Sequence, residues 1–466
     1  MKILFLSDNF PPEVNAPASR TFEHCREWVK AGHDVTVITT APNFPKGVVF
    51  PGYRNRLWQR EEMEGIRVVR VWTYITANAG FGKRTLDYLS FMVSGFLAGL
   101  VQRRPDVIVG TSPQFFTTCA AWMLAVFRWR PFVFELRDLW PESIKTVGAM
   151  NESAALRALE RLELFLYRKA SAVVAVTASF KRNLISRGIA GDKIAVVTNG
   201  VDLSRFRPQA PDQALRDALG IPRQAFVAGY IGTHGMAHAL ETVLEAARML
   251  GAEGDVGPTP DRHDTNSAVL PASNTPVIPA GKPESSAMDG KAAVNNHGAA
   301  PRRGPTIHFI LLGDGARKEA LKAQAANLGL TNVHFLDSVP KAEVPRYWSL
   351  LDVAIIHLRQ ADNFTQVIPS KLFECMGMGI PVLHGVAGES AGIVTREEVG
   401  LVFPPEDAQA LRDGVLRLAE DPALYQRLKA NCLAAAPRYE RTTLAREMLE
   451  VLETVAGKAG TVSVTG

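Results

Sequence analysis

The chain has 466 residues, more than one typical domain, so two domains are expected. Its hydrophobic content of 47%, charged content of 21% and formal net charge of +5 are those of an ordinary soluble globular protein. The four cysteines lack the spacing of a disulfide framework or a zinc site, which fits a reducing cytoplasm, and no nucleic-acid-binding motif accompanies the modest basic charge.

The first 200 residues alternate short apolar strands with helical patterns. The run 1–6 carries one charge and is soon interrupted by Asp8 and two prolines, so it predicts a first strand rather than a signal peptide. A helical pattern follows over 18–31. Further strands are predicted at 33–39, 67–71, 107–110, 132–135, 172–177 and 194–197. This alternation is typical of a parallel sheet with helices on both faces, here a first domain of residues 1–202.

The apolar segment 86–101 has two interpretations that the sequence leaves open. It is flanked by basic pairs at 83–84 and 103–104 and is a little short of a bilayer span. Such a helix either lies on an anionic membrane surface or is a buried helix of the first domain. The segment 122–130 also carries aromatic side chains among basic residues, but there the favoured interpretation is the core.

A second α/β domain follows a linker. The Asn-Gly turn in 199–202 predicts the boundary, the linker spans 203–224 and the second domain spans 225–440. Strands are predicted at 225–231, 307–312, 333–336, 353–357, 381–383 and 401–403. Two such domains imply a cleft between them, which is the usual ligand site of these sheets.

Two further features lie in the second half. The segment 254–304 is rich in Pro, Ala, Gly, Ser and Asn, has no aromatic residue, and is predicted to be a disordered insertion. The last helical patterns, 407–420 and 443–455, are strongly amphipathic, and the end of the chain after 455 is expected to fray.

The most informative stretch runs from Gln366 to Glu374. The two residues lie eight positions apart and straddle Ser370 and Lys371, and a short helix at 374–378 is predicted to stop at Gly379. A helix N-terminus favours an anion, and the lysine adds a charge suited to phosphate. The carboxylate, one turn on, can accept two hydrogen bonds from ribose hydroxyls. An ordinary surface loop and amphipathic helix is the alternative.

Two glycine turns follow strands of the second domain. The turn Gly232-Thr233-His234-Gly235, with His238 close behind, runs from a strand toward a helix, an arrangement that binds phosphate. Each histidine could instead be a solvated or capping residue. The Gly-Asp-Gly turn that begins at Gly313 is a weaker signal, because Asp-Gly turns are common.

The first domain carries charged residues where its predicted strands end. Glu135, Arg137 and Asp138 lie at the carboxyl end of a strand, where parallel sheets bind ligands, although an ion pair with a cap would have the same composition. Glu13 and Asn15 lie in the loop after the first strand. That strand lacks a following Gly-x-Gly-x-x-Gly, which counts against an NAD enzyme. The chain also lacks the Asp-x-Asp pair that metal-dependent transferases use.

The stretch 366–374 resembles the carboxylate-x7-carboxylate motif of glycosyltransferase family 4. The run 199–208, with its Asn-Gly-Val-Asp, Phe and Pro, is similar to the linker of that family. The segments 40–47 and 137–143 resemble a subgroup that acts in bacterial O-antigen and capsule assembly and includes fucosamine transferases. Together the resemblances span most of the chain except the insertion.

The resemblance implies the GT-B fold: α/β, with two Rossmann-like, doubly wound parallel-sheet domains that face a cleft. A C-terminal helix, within 441–466, would cross back to the first domain. The implied enzyme is a retaining, metal-independent hexosyltransferase or N-acetylaminosugar transferase without a cofactor. Its donor is a nucleotide sugar, and family frequency favours a UDP-sugar.

The resemblance also implies roles for single residues in donor binding. Glu374 would hold the ribose, and Lys371 with the turn 232–235 would neutralise the diphosphate. Gln366 would position the sugar, although the family has a carboxylate there. The segment around His334 would face the nucleobase. The family usually has Arg and Lys where this chain has Thr233 and His238.

On the acceptor side, Glu13, Asn15, Glu135 and Arg137 would bind the acceptor. Asn15 and the next residue replace two family glycines, and asparagine tolerates left-handed geometry. A donor phosphate oxygen would take the acceptor proton, with Asp138 as the second candidate.

The predicted biological role is the synthesis of a cell-surface polysaccharide. The acceptor would be a lipid-linked sugar, and the enzyme would lie in the cytoplasm, peripheral to the inner face of the cytoplasmic membrane. Nucleic acid is not an expected partner. Two alternatives stay open: a non-hydrolysing nucleotide-sugar 2-epimerase of the same architecture, and a non-catalytic scaffold of a polysaccharide assembly complex.

Overall fold

The computed structural model describes residues 1–13, 15–44, 46–76, 81–139, 154–254 and 305–462. The predicted disordered insertion lies outside these residues apart from Gly254. The second half of the motif 137–143, from residue 140 on, lies outside them as well.

The first sheet has eight strands among the described residues. They are β1 (Lys2–Leu6), β2 (Asp34–Thr40), β3 (Trp58–Met63), β4 (Ile66–Val71), β5 (Val107–Thr111), β6 (Phe132–Leu136), β7 (Ala172–Ala175) and β8 (Ile194–Val196). Their order is β3-β4-β2-β1-β5-β6-β7-β8, and every neighbouring pair is parallel except β3 with β4. The sequence therefore predicted the parallel strands but missed the antiparallel edge strand β3.

Helices cover both faces of this sheet. They are α1 (Ala16–Lys30), α2 (Phe81–Leu100), α3 (Phe115–Arg128), α4 (Ala154–Lys169) and α5 (Ala178–Ser186). The side chain of Asn15 caps α1 and that of Thr177 caps α5, each by accepting a backbone N–H of the first turn. The apolar faces of α2, α3 and α4 share one core with the sheet, and α1 lies on the opposite core.

The second sheet is parallel throughout. Its strands are β9 (Phe226–Ile231), β10 (Ile307–Leu312), β11 (Val333–Leu336), β12 (Val353–His357), β13 (Val382–Gly385) and β14 (Gly400–Val402), in the order β11-β10-β9-β12-β13-β14. The helices of this half are α6 (Gln213–Ala218), α7 (Glu241–Gly254), α8 (Lys318–Asn327), α9 (Val344–Trp348), α10 (Lys371–Met378), α11 (Glu389–Glu397), α12 (Ala408–Glu420) and α13 (Pro422–Ala435).

The last helix, α14 (Arg441–Val462), returns to the first domain. Its residues Leu444, Met448 and Leu452 are buried in the same core as Ile3 of β1. The indole Nε1 of Trp28 in α1 donates a hydrogen bond of 2.8 Å to the carbonyl of Ala445. The predicted fold class, with two doubly wound sheets and a terminal helix that crosses back, is confirmed.

The helices α2 and α3 also expose an apolar surface. Phe91 of α2 is buried. Leu86, Val93 and Leu97, which follow one another at intervals of seven and four positions and so share one side of the helix, are exposed. Arg128 donates hydrogen bonds to the carbonyls of Leu100 and Gln102, which places the C-terminal ends of α2 and α3 side by side. The exposed apolar residues along this side of α2 and at the end of α3 are here called the apolar patch, which consists of Leu86, Val93, Leu97, Val101, Val126, Phe127 and Trp129.

The core interpretation of the segment 122–130 is wrong for two of its aromatic residues. Phe127, in the last turn of α3, is 66% exposed, and Trp129, which caps the end of that helix, is 86% exposed. Trp122 does pack inward, against the ring of Phe165. Within the described part of the chain, no helix is both long and apolar enough to cross a membrane.

Candidate active site

A cavity of about 190 Å³ lies between the two domains. It is lined from the first domain by α1 and by the segment 199–200, from the second by the loop after β11 and the start of α10, and by the start of α14. The lining residues are Ala16, Ser19, Arg20, His24, Asn199, Gly200, Lys341, Ser370, Glu374 and Arg441. Two of the predicted donor-binding residues, Ser370 and Glu374, are therefore in the cavity wall.

Glu374 presents its carboxylate to this cavity from the first turn of α10. That helix begins at Lys371, three residues earlier than predicted, because Ser370 already has helical backbone angles, and it ends at Gly379 as predicted. The indole of Trp348 donates a hydrogen bond of 3.3 Å to the carboxylate. Burial raises the pKa of Glu374, and the opposing charges of Arg441, Lys341 and Lys371 partly offset that rise.

Lys371 lies beneath the glycine turn at the end of β9. Its Nζ is 3.0 Å from the hydroxyl of Tyr230 and 4.1 Å from the centre of the same ring. A Cβ on Gly232, which has φ of +150°, would come within 2.0 Å of this Nζ, so any side chain there would displace the ammonium. Burial lowers the pKa of Lys371 to about 8, although the neighbouring Glu374 opposes the change.

The two predicted glycine turns lie side by side at the carboxyl edge of the second sheet. Gly232 donates its N–H to Leu312, and His234 donates its N–H to Asp314 over 2.8 Å. Gly313, the first residue of the second turn, is close enough that a Cβ would collide with the carbonyl of Gly232. The turn after β9 is thus held in place by backbone hydrogen bonds to the end of β10 and the turn that follows it.

His234 is fully buried in this pair of turns. Both of its ring nitrogens lack a hydrogen-bond partner among the described residues. Burial lowers its pKa to about 4, and the charges of Lys318 and Lys371 act in the same direction. The ring is therefore neutral at pH 7, with one N–H free to donate and one nitrogen free to accept.

His238 lies close to the same lysine. Burial, reinforced by Lys371, lowers its pKa to about 4, and its ring centre is 5.6 Å from that of Tyr230. The carbonyl of His238 accepts a hydrogen bond of 2.8 Å from Nδ1 of His357, which holds the backbone of the turn. Thr233, the residue between the glycine and the first histidine, is exposed.

Gln366 lies at the end of a short 3-10 helix, Asp362–Gln366, that precedes α10. Its Oε1 is buried and has no hydrogen-bond partner among the described residues. A buried amide oxygen without a partner costs free energy, so this position is one where a ligand hydroxyl would be stabilising.

His334 is not in the cavity wall. Its Nε2 lies 2.9 Å from Nδ1 of His308, and the two rings are stacked at 5.2 Å, so the side chain is engaged with the neighbouring strand. The end of β11 is instead fixed by Lys318, which donates to the carbonyls of Gly313 and Leu336. The only sequence signal for Lys318 is a cation three residues after the Gly-Asp-Gly turn.

In the first domain, Glu135 forms a buried ion pair with Arg20, with 2.9 Å between Oε1 and Nε. Burial disfavours the charge of Glu135, but Arg20 and Arg137 outweigh that effect and lower its pKa. Arg20 also donates to the carbonyls of Val197 and Thr198, so the pair ties α1 to the segment that leads into the linker.

Arg137 and Asp138 directly follow β6, the strand that carries Glu135. Both donate their backbone N–H to the hydroxyl of Ser112, and Arg137 donates from Nη1 to the carbonyl of Pro17 over 3.2 Å. Burial lowers the pKa of Arg137 to about 10. The arginine is thus held against the N-terminal turn of α1, next to the cavity wall.

Glu13 and Asn15 shape the loops beside the cavity. Oε1 of Glu13 accepts the N–H groups of Asn43 and Phe44, each over 2.8 Å, which ties together the two segments that the sequence singled out. Asn15 has an extended backbone with φ of −67°, and its Oδ1 accepts the N–H of Ala18 over 2.9 Å. It therefore replaces glycine as a helix cap rather than through left-handed geometry.

Sequence reasoning missed the cations of the cavity wall. Lys341 reaches across the domain boundary, with its Nζ 3.1 Å from the hydroxyl of Ser19, and Arg441 pairs with Glu23 of α1. These residues are hundreds of positions apart, so no local pattern could have grouped them. Within the described residues, no three His, Cys, Asp or Glu side chains lie close enough to hold a metal ion.

Two regions of the chain match known families. Residues 15–200 match the family described as Glycosyl transferase 4-like domain, and residues 296–433 match Glycosyl transferases group 1. The chain is 25% identical over 427 residues to Escherichia coli WcaI, whose name assigns it as a glycosyl transferase of colanic acid biosynthesis. The match covers 89% of this chain and 91% of WcaI.

Solved structures agree with the fold. Sucrose-phosphate synthase from Thermosynechococcus elongatus superposes with a TM-score of 0.70 at 16% identity, over 98% of this chain and 99% of that chain. Anabaena HepE, solved in complex with UDP, has a TM-score of 0.63 at 17% identity, over 97% of this chain and 100% of its own.

Proposed function

On the premise that this chain belongs to glycosyltransferase family 4 and has the GT-B fold, we propose that it transfers a sugar, with retention, from a UDP-sugar to a lipid-linked acceptor. The transferred group is a hexose or an N-acetylaminosugar, and the product is a cell-surface polysaccharide of a bacterium. The name of WcaI, which refers to colanic acid, supports the pathway class. The UDP bound to HepE supports the nucleotide.

One observation carries this proposal: Glu374 lines the cavity, and Lys371, in the same helix turn, has its ammonium under the glycine turn after β9. In the proposed complex, the carboxylate of Glu374 accepts the ribose hydroxyls. The ammonium of Lys371, directly under Gly232, faces the diphosphate. Charge that develops on the departing diphosphate is then met by preorganised donors in a partly dry site, which stabilises the transition state.

The remaining donor contacts follow from the unpartnered groups of the site. The family has Arg and Lys where this chain has Thr233 and His238, and in the proposed complex the neutral rings of His234 and His238 donate N–H groups to phosphate oxygens instead. The unpartnered Oε1 of Gln366 accepts a hydroxyl of the sugar. The diphosphate charge is met by Lys371 and these donors, and we propose that no metal ion or cofactor takes part.

In the proposed transfer step, the acceptor hydroxyl attacks the anomeric carbon from the face that the diphosphate leaves. The new bond joins the acceptor oxygen to the anomeric carbon, and the bond to the phosphate oxygen breaks. The acceptor proton goes to an oxygen of the departing phosphate, which is the strongest base within reach of it. Asp138, on the acceptor side of the cleft with Arg137, is the second candidate for the proton.

The acceptor and the cellular location follow from the apolar patch on α2 and α3. Its exposed aliphatic and aromatic side chains lie among basic residues such as Arg103, Arg104 and Arg130, a composition suited to an anionic membrane surface. We propose that the enzyme lies peripherally on the inner face of the cytoplasmic membrane. There it meets its lipid-linked acceptor.

The test is turnover of a panel of UDP- and GDP-sugars by purified protein, with and without membrane lipid extract, in EDTA. We expect lipid-dependent release of UDP from one donor, which persists in EDTA and is lost in Glu374→Ala. Isomerisation of a donor without any lipid would instead identify a 2-epimerase. Binding of UDP without turnover of any donor would indicate a scaffold and overturn the proposal.

A further inference from the structure

One side chain of the second domain is docked on the first domain outside the cavity. Glu389 begins α11, and its carboxylate accepts two backbone N–H groups of α5. Its Oε1 lies 2.7 Å from the nitrogen of Ala178, and its Oε2 lies 2.5 Å from the nitrogen of Ser179. The side chain is only 13% exposed, and Arg182 of the same helix lies 3.7 Å from Oε2.

These hydrogen bonds complete the N-terminus of α5. The hydroxyl of Thr177 already accepts the N–H of Phe180, so the capping residue leaves the first two N–H groups of the helix without an intrahelical partner. A carboxylate at a helix N-terminus forms charge-assisted hydrogen bonds and interacts favourably with the helix dipole. Because donor and acceptor belong to different domains, this stabilisation exists only while the two domains lie together.

Glu389 is also connected to the loop that carries Gln366. Its neighbour Gly388 has φ of +89°, and a Cβ there would come within 2.0 Å of the carbonyl oxygen of Thr365. On its other side, the hydroxyl of Ser390 is 2.8 Å from Nε2 of the buried His384 of β13. The base of the glutamate is therefore fixed to the sheet and packed against the residue that precedes Gln366.

We propose that Glu389 is a positioning residue for sugar transfer: it latches α5 when the cleft closes and so holds the Gln366 loop against the acceptor domain. This inference rests on the proposed function. Without the latch the closed state is less populated, so the donor is more often exposed to water before the acceptor arrives. Loss of the latch should therefore lower kcat for transfer by a larger factor than it lowers the rate of donor hydrolysis.

The chain offers variants that remove the latch from either side. Glu389→Ala removes both acceptors, and Glu389→Gln keeps one of them. Ala178→Pro removes one donor from the first domain, and proline is tolerated at the first position of a helix. The preceding Thr177 has φ of −141° and ψ of 152°, which suits a residue before proline. Glu319→Ala is the matched control, since Glu319 lies in the first turn of α8 and its ion pair among the described residues is with Lys322 of its own helix.

The measurements are kcat and KM for transfer, the rate of donor hydrolysis without acceptor, and the radius of gyration by small-angle scattering with and without UDP. We expect kcat for transfer to fall about tenfold in Glu389→Ala and less in Glu389→Gln, with a larger radius of gyration in both. Ala178→Pro should have a similar effect. The double variant of Glu389→Ala with Ala178→Pro should lose no more kcat than Glu389→Ala alone, because both substitutions remove the same interaction.

A radius of gyration and kinetic constants in Glu389→Ala that equal those of the Glu319→Ala control would overturn the inference. An additive loss in the double variant would also overturn it. If the unmodified enzyme transfers no sugar, the proposed function fails. The latch is then still decided by scattering, because it predicts a more open Glu389→Ala variant whatever the reaction.

Discussion

The lowered pKa of Lys371 predicts how donor binding depends on pH. The free enzyme has a Lys371 pKa of about 8 because the ammonium is buried. A diphosphate beside it favours the charged form, so the pKa in the complex is higher than in the free enzyme. Binding is then at full strength below about pH 8 and is lost as the pH rises above that value.

The size of the effect follows from the charged fraction of Lys371. With a pKa of about 8, roughly ten elevenths of the lysine is charged at pH 7 and roughly one eleventh at pH 9. The affinity for UDP should therefore be about tenfold lower at pH 9 than at pH 7, which corresponds to about 1.4 kcal/mol. Isothermal titration calorimetry with UDP, at half-unit pH steps between 6.5 and 9, measures this affinity directly.

Lys371→Arg is the control for this measurement. A guanidinium stays charged throughout the range, so the variant reports only the titration of UDP and of groups other than this lysine. The ratio of the two affinities isolates the lysine. A ratio that does not change between pH 7 and pH 9 would refute the reasoning, because it would mean that Lys371 is either fully charged throughout or not in contact with the diphosphate.

Two further predictions concern the fold and the membrane. Glu135→Ala leaves Arg20 buried without its carboxylate partner and should lower the free energy of unfolding by about 3–5 kcal/mol in urea titrations. Glu27→Ala removes pairs with Arg26 and Lys30 on the outer side of α1 and should cost less than about 1 kcal/mol. The double variant Val93→Asp with Leu97→Asp should lose most of its sedimentation with anionic lipid vesicles and keep its affinity for UDP, because it alters only the apolar patch.

The matched control for the patch variant is Val402→Asp, an exposed valine of the second domain that is 45% accessible. Equal vesicle binding by the patch variant and this control would contradict membrane docking through α2 and α3. Equal destabilisation by Glu135→Ala and Glu27→Ala would contradict the structural importance of the buried ion pair.

Local patterns predicted most of the fold because the buried parallel strands are continuous apolar runs. The edge strand β3 was missed because it contains no such run. Its sequence, Trp-Gln-Arg-Glu-Glu-Met, has no apolar face, and it is a strand because the turn at Glu64 and Gly65, both with positive φ, folds it back onto β4. The sequence pattern alone did not distinguish the exposed Phe127 and Trp129 from core residues.

The candidate site was predictable only where its residues are close in sequence. Gln366, Lys371 and Glu374 lie within one loop and one helix turn, so a spacing pattern could find them. Arg20, Lys341 and Arg441 reach the same cavity from three distant elements. The role of the segment around His334 at the nucleobase stays a prediction, because the stacking of the His334 ring on His308 does not test it.

The return of α14 to the first domain constrains how the protein is made. Leu444, Met448 and Leu452 belong to the core that also contains β1, and the indole of Trp28 is bonded to the backbone of α14. During synthesis on the ribosome, the first domain emerges more than 200 residues before this helix. Its apolar face therefore stays partly uncovered until α14 has emerged, so this enzyme completes its first domain only after its second.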